Sequence, residues 1–168
     1  MPYYETQDKI VKLLDKRSVS PASDFFVETV AFYLKIFLEK RKKPLSVKSE
    51  VRFDTQNGYM KPDISIWQDR KVIAIIECKT NLGFARKRWE NDFIIREKQL
   101  KFSFPQAKAF LLVLSSKNWA GFKTDDKRVN SQFFALSNTR LREIKEAPLE
   151  MVVENRIEKL FSEILKYV

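Results

Sequence analysis

Residues 62–79 read Pro62-Asp63-Ile64-Ser65-Ile66-Trp67, then Gln68-Asp69-Arg70-Lys71, then Val72-Ile73-Ala74-Ile75-Ile76-Glu77-Cys78-Lys79. Two apolar, β-branched segments separated by a short polar stretch are the pattern of two antiparallel strands joined by a turn. The first strand is predicted over Asp63 to Trp67 and the second over Val72 to Lys79. The second is apolar on both faces from Val72 to Ile76, as a buried central strand is. Side chains two apart on a strand share a face. Glu77 and Lys79 therefore point together, on the face of Ile73 and Ile75, while Ala74, Ile76 and Cys78 point the other way. An acid and a base emerge at the end of an otherwise apolar strand. Burying such charges without partners is costly, and a metal ion or a substrate phosphate would offset that cost.

If Asp69-Arg70-Lys71 forms a three-residue loop, Gln68 pairs with Val72 and Asp63 lies opposite Glu77. Directly opposed residues share a face. Two neighbouring carboxylates repel unless they share a proton or a cation. Hard oxygen ligands with positions left open for water suit Mg²⁺, with Mn²⁺ as a substitute. A bound cation polarises a phosphodiester and lowers the pKa of a bound water. Lys79 can then orient that water or stabilise developing negative charge. Taken singly, Asp63, Glu77 and Lys79 are each better read as members of a surface ion pair at a strand end. Cys78 is best read as a small buried core group.

Working outward, Tyr4 to Arg17 reads as a helix with Ile10, Val11, Leu13 and Leu14 on its apolar side. Ser20-Pro21 supplies an N-cap and a first-turn proline. The helix that follows runs to about Lys43, with Phe26, Val30, Tyr33 and Phe37 on one stripe and Val27, Ala31, Leu34 and Leu38 on the next. Leu45 to Phe53 is a predicted strand, and Asn57-Gly58 a turn. Beyond the central pair, a helix is predicted from about Arg86 to Phe102, its inner side Trp89, Phe93 and Leu100, with Phe104-Pro105 ending it. Ala109 to Leu114 is a further buried strand. Residues 118–146 give no pattern that decides their structure. A last helix is expected from about Leu149 to Tyr167, with Val153, Ile157, Leu160, Phe161, Ile164 and Leu165 as an amphipathic stripe. Core packing is preferred for that stripe; a homodimer seam is the alternative.

The chain of 168 residues has room for one domain with a sizeable core, and no Gly/Ser linker divides it. Neither a membrane-length apolar run nor a signal-peptide pattern is present. A single cysteine precludes an intrachain disulfide and fits a reducing, cytoplasmic setting. Thirty-two Lys and Arg against 22 Asp and Glu give a net charge of +10, which favours a polyanionic partner, nucleic acid or less specifically an anionic membrane, with a merely soluble basic protein as the alternative. Histidine is absent. That excludes Ser-His-Asp and Cys-His triads and every zinc site built on His. Hydrolysis at neutral pH would rest on carboxylates, lysine and a metal.

Pro62-Asp63, a gap, then Glu77-Cys78-Lys79 resembles the signature of the PD-(D/E)XK nuclease superfamily, the restriction-endonuclease-like fold. The flanking Ile-Ser-Ile-Trp and Val-Ile-Ala-Ile-Ile runs are of the kind that family uses for core strands. The order helix, three strands, helix, strand is similar too, over roughly residues 24 to 114. The resemblance implies an α/β fold with a mixed central sheet of four or more strands flanked by helices. It implies a Mg²⁺-dependent nuclease with DNA as the expected substrate. Asp63 and Glu77 would be metal ligands, the backbone carbonyl of Cys78 a third, and Lys79 the catalytic lysine. Many members add an acidic residue from the helix before the sheet, for which Glu28 is the candidate; a helix-surface carboxylate near the favourable N-terminal end is the equal alternative. Some exonuclease branches carry Gln, then Tyr four residues later, on the helix after the motif. Here Gln99 is followed at that spacing by Ser103, so endonuclease action is the expectation, with Gln99 as a substrate contact. Arg86, Lys87 and Arg88 open that helix and are the first candidates for phosphate contacts, with Lys127-Arg128 second. Trp119 and Phe122 could stack on bases, although core packing is the simpler account. The competing functions are a nucleic-acid-binding module without catalysis and a structural subunit of a larger complex.

Overall fold

A computed structural model describes residues 23–80, 82, 85–115, 121–123, 125–137 and 156–167. The helix expected over 4–17, the Ser20-Pro21 cap, Trp119 and the start of the last helix at Leu149 lie outside these residues. The elements run α1 (Ser23–Lys40), β1 (Ser46–Ser49), β2 (Phe53–Thr55), β3 (Gly58–Met60), β4 (Ile64–Gln68), β5 (Lys71–Lys79), α2 (Arg86–Ser103), β6 (Lys108–Ser115), β7 (Phe133–Ser137), α3 (Arg156–Ile164) and a closing 3₁₀ turn, Leu165–Tyr167. The class is α/β, with a five-stranded sheet in the order β1-β4-β5-β6-β7. It is mixed: β1, β4 and β5 pair antiparallel, while β5, β6 and β7 run parallel. No helix among the described residues is long and apolar enough to cross a membrane.

Each face of the sheet carries its own core, as a layered α/β architecture requires. On one face α1 and α3 bury Val30, Leu34, Leu38, Leu160, Phe161 and Ile164 against Ile64, Ile66, Ala74 and Ile76. On the other, α2 buries Trp89, Phe93 and Leu100 against Val72, Ile75, Leu111 and Phe133. Complete burial of each such aliphatic or aromatic side chain contributes roughly 1.5–3 kcal/mol. From Ile157 on, the C-terminal stripe therefore serves the core, while Val153 lies outside the described residues. At the other end of the chain order, α1 stops without a glycine. Lys42 takes φ +52°, and its N–H and that of Lys43 close back onto Glu39 and Leu38 carbonyls, the double bond of a Schellman ending.

Two expectations need correction. The strand predicted over Leu45 to Phe53 is broken, because Glu50 takes φ +51°. A left-handed residue cannot continue the ladder. After it the chain leaves the main sheet and forms a separate hairpin of β2 and β3, turning at Gln56-Asn57, with Gly58 at φ +122°. The second concerns the β4–β5 loop. Gln68 pairs with Lys71, not Val72, so the loop holds two residues, Asp69 at φ +54° and Arg70. A bulge then restores the offset, since Trp67 faces Val72 but Ile66 faces Ala74. The extra residue, Ile73, packs with the α1 side instead of sharing the face of Ile75. Past the bulge Ile64 pairs with Ile76, and the same register carried one step further sets Asp63 beside Glu77. The neighbourhood expected from a three-residue loop thus arises from a shorter loop and a bulge.

Candidate functional site

The bulge and register bring Asp63 to the point where β5 ends. Asp63 Oδ2 accepts a hydrogen bond from the backbone N–H of Cys78 at 2.7 Å. Glu77, the preceding residue, points to the α2 face and is only 3% exposed. Burial, and next the charge of Asp63, push the Glu77 carboxyl up to about 7; Arg96 and Lys79 pull the other way. Cys78 points into the α1-side core, and burial together with the two carboxylates holds its thiol well above the usual range. Its side chain is a packing group.

Arg96, which sequence reasoning passed over, is the principal partner of Glu77. From the third turn of α2 its Nη1 donates to Glu77 Oε1 at 2.9 Å and to the carbonyl of Lys61 at 3.2 Å. Nothing in the primary pattern links a mid-helix arginine to a strand carboxylate 19 residues earlier. Only the packing of α2 across β5 does so. Glu77, Lys79, Arg96 and Gln99 line one cavity of about 530 Å³, together with Tyr59, Lys61, Trp89, Asp92 and Ile95. Lys79 is exposed at its wall.

Glu28 does not join this group. It is 1% exposed on the α1 side, where Ser49 Oγ donates to its Oε2 at 3.0 Å. Ser49 shares its sheet face with Ile64, its register partner, so Glu28 lies across the sheet from Glu77. Lys87 and Arg88 are exposed on the first turn of α2. Arg128 is committed inside the fold: it donates to Asp126 and Glu90, and its guanidinium lies 4.4 Å from the centroid of Phe133. Its hydrogen bonds hold the Asp126 carboxyl below the ordinary range. Phe122 stacks on Phe133 at 5.5 Å and packs half-buried against the core.

Among the described residues no three Asp, Glu or Cys side chains converge as a metal cage. The oxygen donors that lie side by side here are the Asp63 and Glu77 carboxylates. Among the described residues Glu77 Oε2 and Asp63 Oδ1 accept no hydrogen bond. A small oxygen set with room for water fits Mg²⁺.

No family model and no curated protein sequence matches the chain. Among solved structures it is similar to a chain of the native BbvCI A2B2 tetramer, with 13% identity, a TM-score of 0.45, and coverage of 98% of this chain and 85% of that one.

Proposed function

We propose that this chain is a Mg²⁺-dependent nuclease that hydrolyses phosphodiester bonds in DNA by internal cleavage. The observation that carries the reading is a buried Glu77 beside Asp63, with Lys79 entering the same cavity from the same strand. Asp63, Glu77 and the Cys78 carbonyl would hold the cation, which when bound polarises the phosphodiester and acidifies a water. The chain's own residues supply the rest. The Cys78 N–H orients Asp63, and Arg96 orients Glu77. The Lys79 ammonium stabilises negative charge developing on the phosphate. Glu28 serves the core with Ser49 in this reading.

Arg96 also favours a second reading, a nucleic-acid-binding module without catalysis, because its guanidinium already supplies a cation to Glu77. Cleavage of plasmid and single-stranded substrates with and without Mg²⁺, by wild type and Asp63→Ala, separates the two. The nuclease reading expects Mg²⁺-dependent cutting that the substitution abolishes. Strong DNA binding with no divalent-ion uptake by calorimetry and no cutting would establish the second reading instead.

A further inference from the structure

The cavity that holds Glu77 and Lys79 has an apolar end as well as a charged one. Tyr59 on β3 and Ile95 on α2 both line it while remaining 58% and 55% exposed. Gln99, four residues beyond Ile95 and so on the same helix face, lines it too. The tyrosine is not a loose surface ring. The Arg52 guanidinium carbon lies 3.6 Å from its centroid, a cation–π contact that fixes the ring and leaves its remaining surface to the cavity. Its hairpin is pinned to α2, where the Gln56 N–H donates to Ser103 Oγ at 2.8 Å. The base of the hairpin is wedged by Phe53 edge-on to Trp67 and Phe104.

We infer that Tyr59, backed by Arg52 and flanked by Ile95, is a stacking platform for an unpaired nucleobase, so that the strand entering this cavity is single-stranded there. The inference rests on the reading of the cavity as a nucleic-acid site. In a duplex both faces of a base are covered by its neighbours, and a flat ring can engage one only after unstacking it. In a single strand the face is free, and stacking on an aromatic is strong and tolerant of sequence. The charges agree with this occupant: Lys79 lines the same cavity and Arg52 adds a positive group beside the ring, while Lys61 on the wall is paired with Glu50 at 3.5 Å and Arg96 with Glu77. Lys79 and Arg52 can meet the phosphates on either side of the stacked base.

The test is binding without metal. Fluorescence anisotropy in a chelator would compare a labelled single-stranded oligonucleotide with its duplex, for wild type, Tyr59→Ala and Tyr59→Phe. Wild type is expected to prefer the single strand. Tyr59→Ala should weaken single-strand binding roughly tenfold or more and leave duplex binding unchanged, as the loss of one stacked base requires. Tyr59→Phe keeps the ring and should restore single-strand binding, while unchanged duplex binding by Tyr59→Ala shows that the variant is folded. Equal single-strand affinity for wild type and Tyr59→Ala, or equal loss for both substrates, overturns the inference. Because no metal is present, this outcome is independent of cleavage. A wild type that cuts nothing yet shows the Tyr59 effect would sink the nuclease reading and keep the platform. Mg²⁺-dependent cutting with no Tyr59 effect would do the reverse.

Discussion

Glu77 is a carboxylate that the sheet buries and α2 then partly neutralises, and its neighbours divide into those that hold it and those that act. Arg96 holds it. Arg96→Ala should leave a buried charge without its main donor and lower stability by about 1–3 kcal/mol, read from urea unfolding. Adding Glu77→Gln should recover part of that loss, since an uncharged amide needs no counter-ion. Additive losses in the double variant would show that the pair is not coupled. Asp63 and Lys79 are the acting pair in the proposed reaction. Asp63→Asn keeps the shape but removes a ligand charge, so metal affinity and cleavage should fall together. Lys79→Ala should leave calorimetric metal binding nearly intact, because an ammonium is not a ligand, while slowing cleavage ~10²-fold or more. Loss of metal binding in Lys79→Ala would contradict this division. That Glu77 and Lys79 emerge together was legible in the sequence, because strand period is a local property; Asp63 was placed beside Glu77 from a loop one residue too long, and the bulge between Ile66 and Trp67 makes up the difference. Arg96 and Tyr59 were not legible. One reaches Glu77 only through helix–sheet packing, and the other sits on a three-residue strand, too short to display a period.

At the scale of elements, the long α2 and β5 and the shorter β4 and β6 read correctly, while the interrupted strand after Leu45 and the five-residue β7 did not. The bounds of α2 and β5 fall within a residue of expectation, because an 18-residue helix with Trp89, Phe93 and Leu100 inside and an apolar nine-residue strand each repeat their pattern. The break at Glu50 had no signal, since a glutamate with positive φ is dictated by what lies on either side of it. One such constraint is visible: the Glu50 N–H donates to the Asp63 carbonyl at 2.8 Å, which ties the end of β1 to the residue beside Glu77. β7 was missed because a five-residue apolar run, Phe133-Phe134-Ala135-Leu136-Ser137, is too short for its periodicity to choose between strand and helix, and pairing with β6 makes the choice. The last helix carries a prediction of its own. Phe161 is 3% exposed and its ring lies 5.2 Å from that of Phe37 on α1. Phe161→Ala should therefore cost about 3–5 kcal/mol, with a denaturation midpoint independent of protein concentration. A midpoint that rises with concentration would return the stripe to a dimer seam.

For the molecule as a whole, the net charge of +10 is a statement about partners and not about fold, and the fold sorts its cations into committed and available. Arg128 is committed, bonded to Asp126 and Glu90 and laid over Phe133. Arg41 lies over Phe37 at 3.7 Å. Lys87 and Arg88, by contrast, are exposed at the start of α2, the helix whose later turns supply Arg96 and Gln99 to the cavity. A phosphate backbone approaching Lys79 would run along that helix. Each phosphate that a cation neutralises releases a counter-ion, which makes log affinity fall with log salt by about 0.9 per contact on duplex DNA and about 0.7 on a single strand. Replacing Arg86, Lys87 and Arg88 together by Ala should flatten that slope by up to roughly three contacts' worth, measured by anisotropy across a salt series without metal. Arg128→Ala should leave the slope alone and lower the thermal midpoint instead, because its work is inside the fold. If Arg128→Ala flattens the slope and the triple variant does not, the phosphate track passes over the segment between β6 and β7, and the strand reaches Lys79 from the opposite end of the cavity.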